Sequence, residues 1–198
     1  LFECFDEDIH QLSKALGLNY HETCDKLKLY YDGYHFCDTN MIDVYNPFSL
    51  VNALNQKRLR SYWASSGATS LLPKFVNDME LHLDDFDHCS VLRGILETSD
   101  VTGGGPERFL YQSGYITIKV SDEFGYILGI PNEEVRQALN EMVLPALTMR
   151  KQGDTLSLQA NLYRQLGTGM LDDAKKTLRS LIADVPYSNK KLASMDME

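Results

Sequence analysis

The stretch YYDGYHF, residues 30–36, concentrates aromatic side chains around a single glycine. Side chains on a strand alternate between its two faces, so Asp32 would lie with Tyr34. The opposite face would hold Gly33 and His35. A catalytic interpretation makes Asp32 and His35 a base and its orienting partner, but the alternation directs them apart unless Gly33 forms a bulge. We therefore favour an aromatic strand that covers a core, with Gly33 allowing a close backbone approach.

Two short helices are expected before this stretch, joined as a helical hairpin. Asp6 is the predicted N-cap of the first helix, and Gly17 supplies its C-terminal glycine. Asn19 starts the second helix, where Glu22 completes a capping box. Apolar residues recur at helical spacing along both segments, namely Ile9, Leu12 and Leu16, then Tyr20, Cys24, Leu27 and Tyr31.

A β-hairpin is predicted next, with residues 31–36 paired to residues 42–45, because CDTN is typical of a turn and MIDVY favours a strand. Asn46 and Pro47 then form the N-cap and first residue of a helix. Its apolar residues are Phe48, Leu50, Val51 and Leu54. A further helix is expected over residues 69–79.

The pattern of residues 109–149 predicts a hairpin followed by a helix. FLYQSGYITIKV, residues 109–120, and YILGIP, residues 126–131, have the composition of strands separated by the turn SDEFG. Asn132 is the expected N-cap of the next helix. A β-hairpin between helices of this size is typical of a winged-helix-like module. The apolar positions of the helix are Val135, Leu139, Met142, Val143, Ala146 and Leu147.

The tail predicts two more helices, one with Leu158, Leu162 and Leu166, and one with Ala174, Leu178, Leu181 and Ile182. The expected fold is thus mainly α with short β-hairpins. We expect a lid-like helical part over residues 1–100, a winged-helix-like module over residues 101–150, and a helical hairpin over residues 151–198.

Composition and charge narrow the class of protein. The chain has 198 residues, 43% of them hydrophobic, and a net charge of −9. Residues 1–100 carry a net charge of −8, which disfavours non-specific nucleic-acid binding by that part. No apolar run approaches the ~18 residues of a membrane span, so we expect a cytoplasmic protein with no membrane partner. The opening LFECFDEDIH lacks the features of a signal peptide and suggests the interior of a longer protein.

The cysteines at positions 4, 24, 37 and 89 have irregular spacing, which indicates free thiols rather than a disulfide framework. A zinc site of His21, Cys24, His35 and Cys37 matches no familiar ligand spacing, so we expect no metal site. VTGGG, residues 101–105, lacks the Gly-Lys-Ser/Thr that would follow in a phosphate-binding loop.

Several collinear strings of this sequence resemble one bacterial family. They are LYYDGYHF, VYNPFSLVNAL, SYWASSGATSLL, FLYQSGYITI and YILGIPNEEVRQALNE. Together they are similar to the predicted AAA-ATPase-like proteins that carry a PD-(D/E)XK nuclease-like domain at the C-terminus. The resemblance covers essentially the whole chain and places it after the phosphate loop, in the middle region of such proteins.

The resemblance implies a non-catalytic lid and connector. Its expected partners are the ATPase core and the nuclease-like domain of the same protein, and ATP and Mg²⁺ are expected cofactors of the parent only. The chain has neither Gly-x-x-x-x-Gly-Lys-Ser/Thr nor the downstream Asp…Glu-x-Lys cluster, so no catalytic residue is assigned. A DNA-binding winged helix and an interaction scaffold of a degenerate ATPase are the alternatives.

The resemblance also suggests a nucleotide-sensing role for Arg58, Arg60 and Trp63. In the lid of an ATPase, a fixed cation near the γ-phosphate would report the nucleotide state, and Trp63 would stack on a base. The alternative makes the arginines solvated cations at a helix end and the indole a packing anchor.

DNA recognition has weaker support in the sequence. The helix after GIP begins with Asn132, Glu133 and Glu134, and phosphate would repel the two carboxylates. The predicted wing contains one basic residue, Lys119, and two acidic residues, Asp122 and Glu123. In the tail, Lys175 and Arg179 share one helix face beside Lys176, which is typical of a solvated surface.

Overall fold

The computed structural model describes residues 2–35, 38–39, 41–63, 87–97, 106–148 and 151–183. The chain divides into two compact units, Leu1–Asn140 and Glu141–Glu198. None of the described helices is both long enough and apolar enough to cross a membrane. The expectation of a mainly α protein with a short β-hairpin is confirmed.

The N-terminal helical hairpin forms as predicted. Helix α1 spans Asp6–Leu16 and ends at Gly17 in the left-handed conformation, and α2 spans Tyr20–Tyr31. The capping box is present, since Asn19 Oδ1 accepts from the Glu22 amide at 2.9 Å and Glu22 Oε2 accepts from the Asn19 amide at 2.9 Å. The predicted cap at Asp6 is wrong by one position. Phe5 occupies the N-cap without a side-chain hydrogen bond, and Asp6 begins the helix.

Helix α3, Pro47–Gln56, begins as predicted, with Asn46 Oδ1 accepting from the Ser49 amide at 3.3 Å. Leu50, Ala53 and Leu54 turn inward from α3 and pack with α1 and α2 around Tyr31. The predicted apolar positions Phe48 and Val51 are instead 51% and 42% exposed. The core of this region holds Ile9, Leu12, Cys24, Leu27, Tyr31, Leu50, Ala53, Leu54 and Tyr62.

Within the described residues, the first predicted β-hairpin contains one antiparallel bridge, between Tyr34 and Val44. Tyr31 belongs to α2, because its side chain completes the buried helical stripe and is fully covered. Asp32 then leaves the helix in an extended conformation. Only a short part of YYDGYHF therefore runs extended, and residues 36, 37 and 40 lie outside the described residues.

A three-stranded antiparallel sheet forms the second layer of the first unit. Its strands are β1 (Cys89–Val91), β2 (Thr117–Ser121) and β3 (Tyr126–Gly129), in the order β1-β3-β2. The predicted hairpin is confirmed as β2 and β3, with a register shift between Ile118 and Val120. The strand expected over residues 109–120 is wrong in its first part, since residues 109–112 belong to a helix.

Two short helices lie between β1 and β2 in the chain, α4 (Arg93–Glu97) and α5 (Pro106–Gln112). The described elements follow the order of a strand, two helices and a hairpin whose last strand pairs with the first. This order is compatible with the predicted winged-helix-like module, which stays a prediction. In this arrangement the helix that would read DNA is α5, which precedes the hairpin.

Helix α6 spans Glu133–Thr148, and its predicted cap is confirmed because Asn132 Oδ1 accepts from the Val135 amide at 3.1 Å. In the second unit, α7 (Gln152–Gly167) and α8 (Leu171–Ala183) form the helical hairpin that the tail predicted. Thr177 Oγ1 donates to Gln165 Oε1 across this hairpin at 2.9 Å. The helix predicted over residues 69–79 lies outside the described residues, and the boundaries at residues 100 and 150 stay predictions.

Candidate functional site: a buried polar joint

The extended residues after α2 are held against the hairpin and the start of α6 by side chains that bind backbone groups. Asn132 Nδ2 donates to the Asp32 carbonyl at 3.0 Å, while its Oδ1 caps α6. Lys119 Nζ donates to the Gly33 carbonyl at 3.3 Å and to the Pro131 carbonyl at 3.1 Å. These two side chains therefore fasten consecutive peptide groups to elements about 100 residues away in the chain.

Gly33 lies where this segment crosses the backbone before α6. Its φ is +92°, and a Cβ added there would lie 2.5 Å from the Pro131 carbonyl oxygen. Any side chain would force the two backbones apart, and the positive φ adds conformational strain for an L-residue. The predicted close backbone approach at Gly33 is confirmed.

His35 completes the attachment to β2. Its amide donates to Thr117 Oγ1 at 2.8 Å, and Thr117 Oγ1 donates in return to the His35 carbonyl at 3.0 Å. The ring Nδ1 lies 2.7 Å from the Ile118 carbonyl, and Nε2 lies 2.9 Å from Asp43 Oδ1. Both ring nitrogens face oxygen acceptors.

These contacts decide the role of the aromatic stretch. The His35 ring binds Asp43 and Ile118, and no described contact joins it to Asp32. Asp32 Oδ1 is buried without a hydrogen-bond partner among the described residues. Burial raises the pKa of Asp32, the Asp43 carboxylate adds to this rise, and the Gly33 amide opposes it. The geometry supports an architectural stretch rather than a base and its orienting partner.

Glu134 forms the second attachment and is fully buried in the first turn of α6. Its Oε1 accepts from the Tyr62 amide at 2.7 Å and from the Trp63 amide at 2.9 Å. Burial raises the pKa of Glu134, while the amides of Trp63 and Tyr62 favour the ionised form. Glu134 Oε2 and Ser49 Oγ have no hydrogen-bond partner among the described residues.

Sequence reasoning treated Glu134 only as a carboxylate that would repel phosphate and missed its attachment to residues 62 and 63. A signal was present, because Glu134 precedes Ala138 by four residues and so shares its face of α6. Ala138 is fully buried. A carboxylate on a buried helix face requires hydrogen-bond donors from elsewhere in the chain.

Lys119, which belongs to the first attachment, is half-buried. Burial lowers the pKa of Lys119, the carboxylates of Asp43 and Asp87 oppose this, and Arg136 reinforces it. We name the set of Lys119, Asn132, Glu134, His35 and Thr117 the polar joint. The side chains of Lys119, Asn132, Glu134 and Thr117 each donate to or accept from a backbone group of residues 32–35 or 62–63. The His35 ring extends the set by its contact with the Ile118 carbonyl.

The predicted nucleotide-sensing residues lie beside the joint. Arg60 Nη2 donates to Gln56 Oε1 at 2.6 Å, and its guanidinium lies 4.9 Å from the centre of the Tyr62 ring. The Tyr62 hydroxyl donates to the Arg58 carbonyl at 2.9 Å. Both arginine side chains are exposed, which leaves them accessible to a partner or ligand.

Trp63 is partly buried and packs edge-on against Tyr115, with ring centres 4.8 Å apart. Its indole also lines an apolar depression of about 630 Å³ together with Tyr34 and Tyr45. The structure therefore places Arg60 against the Tyr62 ring, and Glu134 binds the amides of Tyr62 and Trp63. The nucleotide-sensing role of Arg58, Arg60 and Trp63 stays a prediction.

The geometry of the described residues gives little support to a metal site or to DNA binding by α5 and the wing. Among the residues that the structure describes, no three His, Cys, Asp or Glu side chains are placed to hold a metal ion. Cys37, one of the four cysteines, lies outside them. In α5, the cation Arg108 is buried. At the wing, Asp122 Oδ1 accepts from the amides of Phe124 and Gly125 at 2.9 and 3.0 Å.

The comparisons with known proteins include a distant relative. No family model matches the chain, and no solved structure matches it. The chain is 28% identical over 144 residues to a protein of Azotobacter chroococcum mcd 1 described as an uncharacterized protein in the vnfD 5′ region. The match covers 68% of this chain, and the chain spans 27% of the length of that relative.

Proposed function

We propose that this chain is the non-catalytic lid and connector of a larger cytoplasmic protein, in which an AAA-type P-loop ATPase core is linked to a PD-(D/E)XK nuclease-like domain. The proposal rests on the resemblance of its sequence strings and on the polar joint. ATP and Mg²⁺ would bind the ATPase core of the parent protein. The residues of this chain would pass on a movement rather than carry out a reaction.

The observation that carries the proposal is which groups the buried polar side chains bind. In an enzyme site, polar groups converge on a space that substrate can enter. In the polar joint they converge on the backbone of the same chain, at residues 32–35 and 62–63. Such contacts fix the relative position of secondary-structure elements and leave few donors or acceptors for a ligand.

The joint connects the parts that a transmission element must connect. Residues 32–35 follow α2, residues 62–63 follow α3, and both segments are held by the hairpin or by the start of α6. A displacement of the N-terminal helices would therefore move the winged-helix-like module with them. A ligand at the ATPase core shifts this equilibrium only if it binds one arrangement more tightly than the other.

The test is made in the full-length protein with Glu134→Ala and its neighbour Glu133→Ala as the matched control. Glu133 is only partly buried, and its Oε1 accepts from Gln137 Nε2 at 3.3 Å. We expect Glu134→Ala to retain ATP binding while the ATP-induced change in hydrogen exchange of the nuclease-like domain is lost. Glu133→Ala should behave as the wild type. An unchanged ATP response in Glu134→Ala would contradict the proposal.

A DNA-binding winged helix is the second candidate, and the order of strand, helices and hairpin favours it. The buried Arg108 in α5 and the acidic wing oppose it. Salt-dependent binding of duplex DNA at micromolar protein would support this candidate, and its absence at low salt would exclude it.

An interaction scaffold of a degenerate ATPase is the remaining alternative. A phosphate loop without its lysine in the parent reading frame would support that alternative, because the lysine contacts the nucleotide phosphates. Measurable ATP turnover by the intact protein would exclude it.

A further inference from the structure

The helical hairpin of the second unit exposes several large apolar side chains among the residues that the structure describes. Tyr163 on α7 is 68% exposed, and Leu171, Leu178 and Ile182 on α8 are 67%, 47% and 60% exposed. Leu156 and Leu166 on α7 and Met170 in the connecting turn are also exposed. Exposed apolar residues are common singly, whereas a contiguous set on one unit indicates an interaction surface.

These residues lie on the same side of the hairpin. At about 100° per residue, Leu171, Leu178 and Ile182 form one stripe on α8, next to the stripe of Ala174 and Leu181 that is buried. On α7, Leu156 and Tyr163 are seven residues apart and share a stripe beside the positions that face α8. Because the two helices are antiparallel, both exposed stripes turn to the same face. We call this surface the hairpin face.

We propose that the hairpin face is a homodimer interface, in which two copies of α7 and α8 form a four-helix bundle. Two antiparallel helices cannot enclose a core of their own, and pairing two such hairpins is a standard solution. This inference concerns self-association and is independent of the proposed connector function.

The area available fits a stable dimer. The exposed fractions of the seven side chains correspond to roughly 650 Å² of surface on each copy, or about 1,300 Å² for both. Specific interfaces bury about 1,200–2,000 Å² in total. The hairpin face alone is therefore large enough, without a contribution from the first unit.

Charges at the rim of the hairpin face are complementary under the same two-fold pairing. Arg164 is exposed near the end of α7, and Asp172 is exposed in the first turn of α8. In an up-and-down bundle with the two-fold axis parallel to the helices, α7 of one copy lies beside α8 of the other, with both turns at the same end. Arg164 of each copy would then approach Asp172 of the other.

The test is the mass of the full chain in solution by sedimentation velocity across a range of micromolar concentrations. We expect the wild type to have twice the mass of one chain. Tyr163→Asp combined with Leu178→Asp should have the mass of one chain, with helix content unchanged by circular dichroism. The control Phe124→Asp replaces a side chain that is 77% exposed on the wing, outside the hairpin face, and should remain dimeric.

A charge exchange tests the pairing of the helices. Asp172→Arg alone should weaken the dimer about tenfold, because it places like charges at both symmetric contacts. Arg164→Asp in the same chain should restore the wild-type dissociation constant. A wild type that is monomeric at every concentration, or a Tyr163→Asp, Leu178→Asp variant that stays dimeric, would overturn the proposal.

Discussion

Glu134 Oε1 accepts the backbone N–H of Tyr62 at 2.7 Å, across 72 positions of sequence. The same oxygen accepts from the next amide, that of Trp63, at 2.9 Å. A fully buried carboxylate is costly unless it is hydrogen-bonded, so this contact is both an attachment and a condition for the stability of the first unit. The predictions below examine it and the rest of the polar joint.

Removing the Glu134 carboxylate should destabilise the fold. Glu134→Ala leaves two buried amides without an acceptor and should lower the free energy of unfolding by about 3 kcal/mol. Glu133→Ala, at the neighbouring and partly exposed position, should cost no more than about 0.5 kcal/mol. Urea unfolding of the two variants measures the difference, and equal losses would show that the attachment contributes nothing.

The free energy of unfolding should depend on pH, because burial shifts the pKa of Glu134. Its folded-state pKa is raised above the ordinary value of about 4.3, so folding favours the protonated form. This protonation of Glu134 contributes to the free energy of unfolding. The contribution is fully present at pH values below the ordinary pKa and is lost as the pH rises through the folded-state pKa. Glu134→Gln, which does not titrate, should therefore gain stability relative to the wild type as the pH rises from acid towards neutral.

Urea unfolding at a series of pH values measures this gain. Asp32, whose pKa is also raised, titrates in both proteins and cancels in the comparison. A difference between wild type and Glu134→Gln that is independent of pH would contradict the assignment.

Gly33 should be intolerant of any side chain. Gly33→Ala combines a φ of +92° with a Cβ placed 2.5 Å from the Pro131 carbonyl oxygen, and we expect a loss of about 3 kcal/mol. Gly17→Ala is the matched control, since Gly17 has a φ of +67° and open space around it. Gly17→Ala should cost about 1 kcal/mol. Thermal unfolding distinguishes the two, and equal costs would disprove the close approach at Gly33.

Asn132 should be worth more than an ordinary helix cap. Asn132→Ala removes the cap of α6 and the bond to the Asp32 carbonyl, and should cost about 2 kcal/mol. Asn46→Ala removes only the cap of α3, so its expected cost is about 1 kcal/mol. Denaturant midpoints compare the two variants. A smaller loss at Asn132 than at Asn46 would argue against the attachment of residue 32.

The nucleotide-sensing hypothesis is tested in the full-length protein. If the exposed guanidinium of Arg60 approaches the γ-phosphate, Arg60→Ala should weaken ATP binding and lower turnover. The matched control is Arg179→Ala, an exposed arginine of the second unit. Calorimetric titration with ATP measures the effect, and unchanged binding and turnover in Arg60→Ala would remove the hypothesis.

Local signals in the sequence predicted much of the fold. The capping box at Asn19 and Glu22, the Asn46–Pro47 start of α3 and the cap at Asn132 are satisfied within a few residues, so the sequence contains both partners. The apolar stripes that predicted α7 and α8 also depend only on residues close together in the sequence. Where aromatic residues favoured a strand before Ser113, the structure has a helix that begins at Pro106, because tertiary packing overrides a weak strand preference.

The candidate site was less predictable, because its contacts join distant positions. His35 binds Thr117, which is 82 residues away, and Glu134 reaches Tyr62 across a similar interval. No periodicity encodes such pairs. Gly33 was the exception, since a glycine inside an aromatic run indicates a close backbone approach even when the opposing group is unknown.

The central claim is that the polar joint makes the N-terminal helices and the winged-helix-like module one mechanical element. Native-state hydrogen exchange of the Tyr62, Trp63 and His35 amides tests it most directly. We predict that these amides open with the same free energy as the β2–β3 amides in the wild type, and that Glu134→Ala lowers this free energy for Tyr62 and Trp63. Rapid, independent exchange of Tyr62 and Trp63 in the wild type, while β2 and β3 stay protected, would contradict the account.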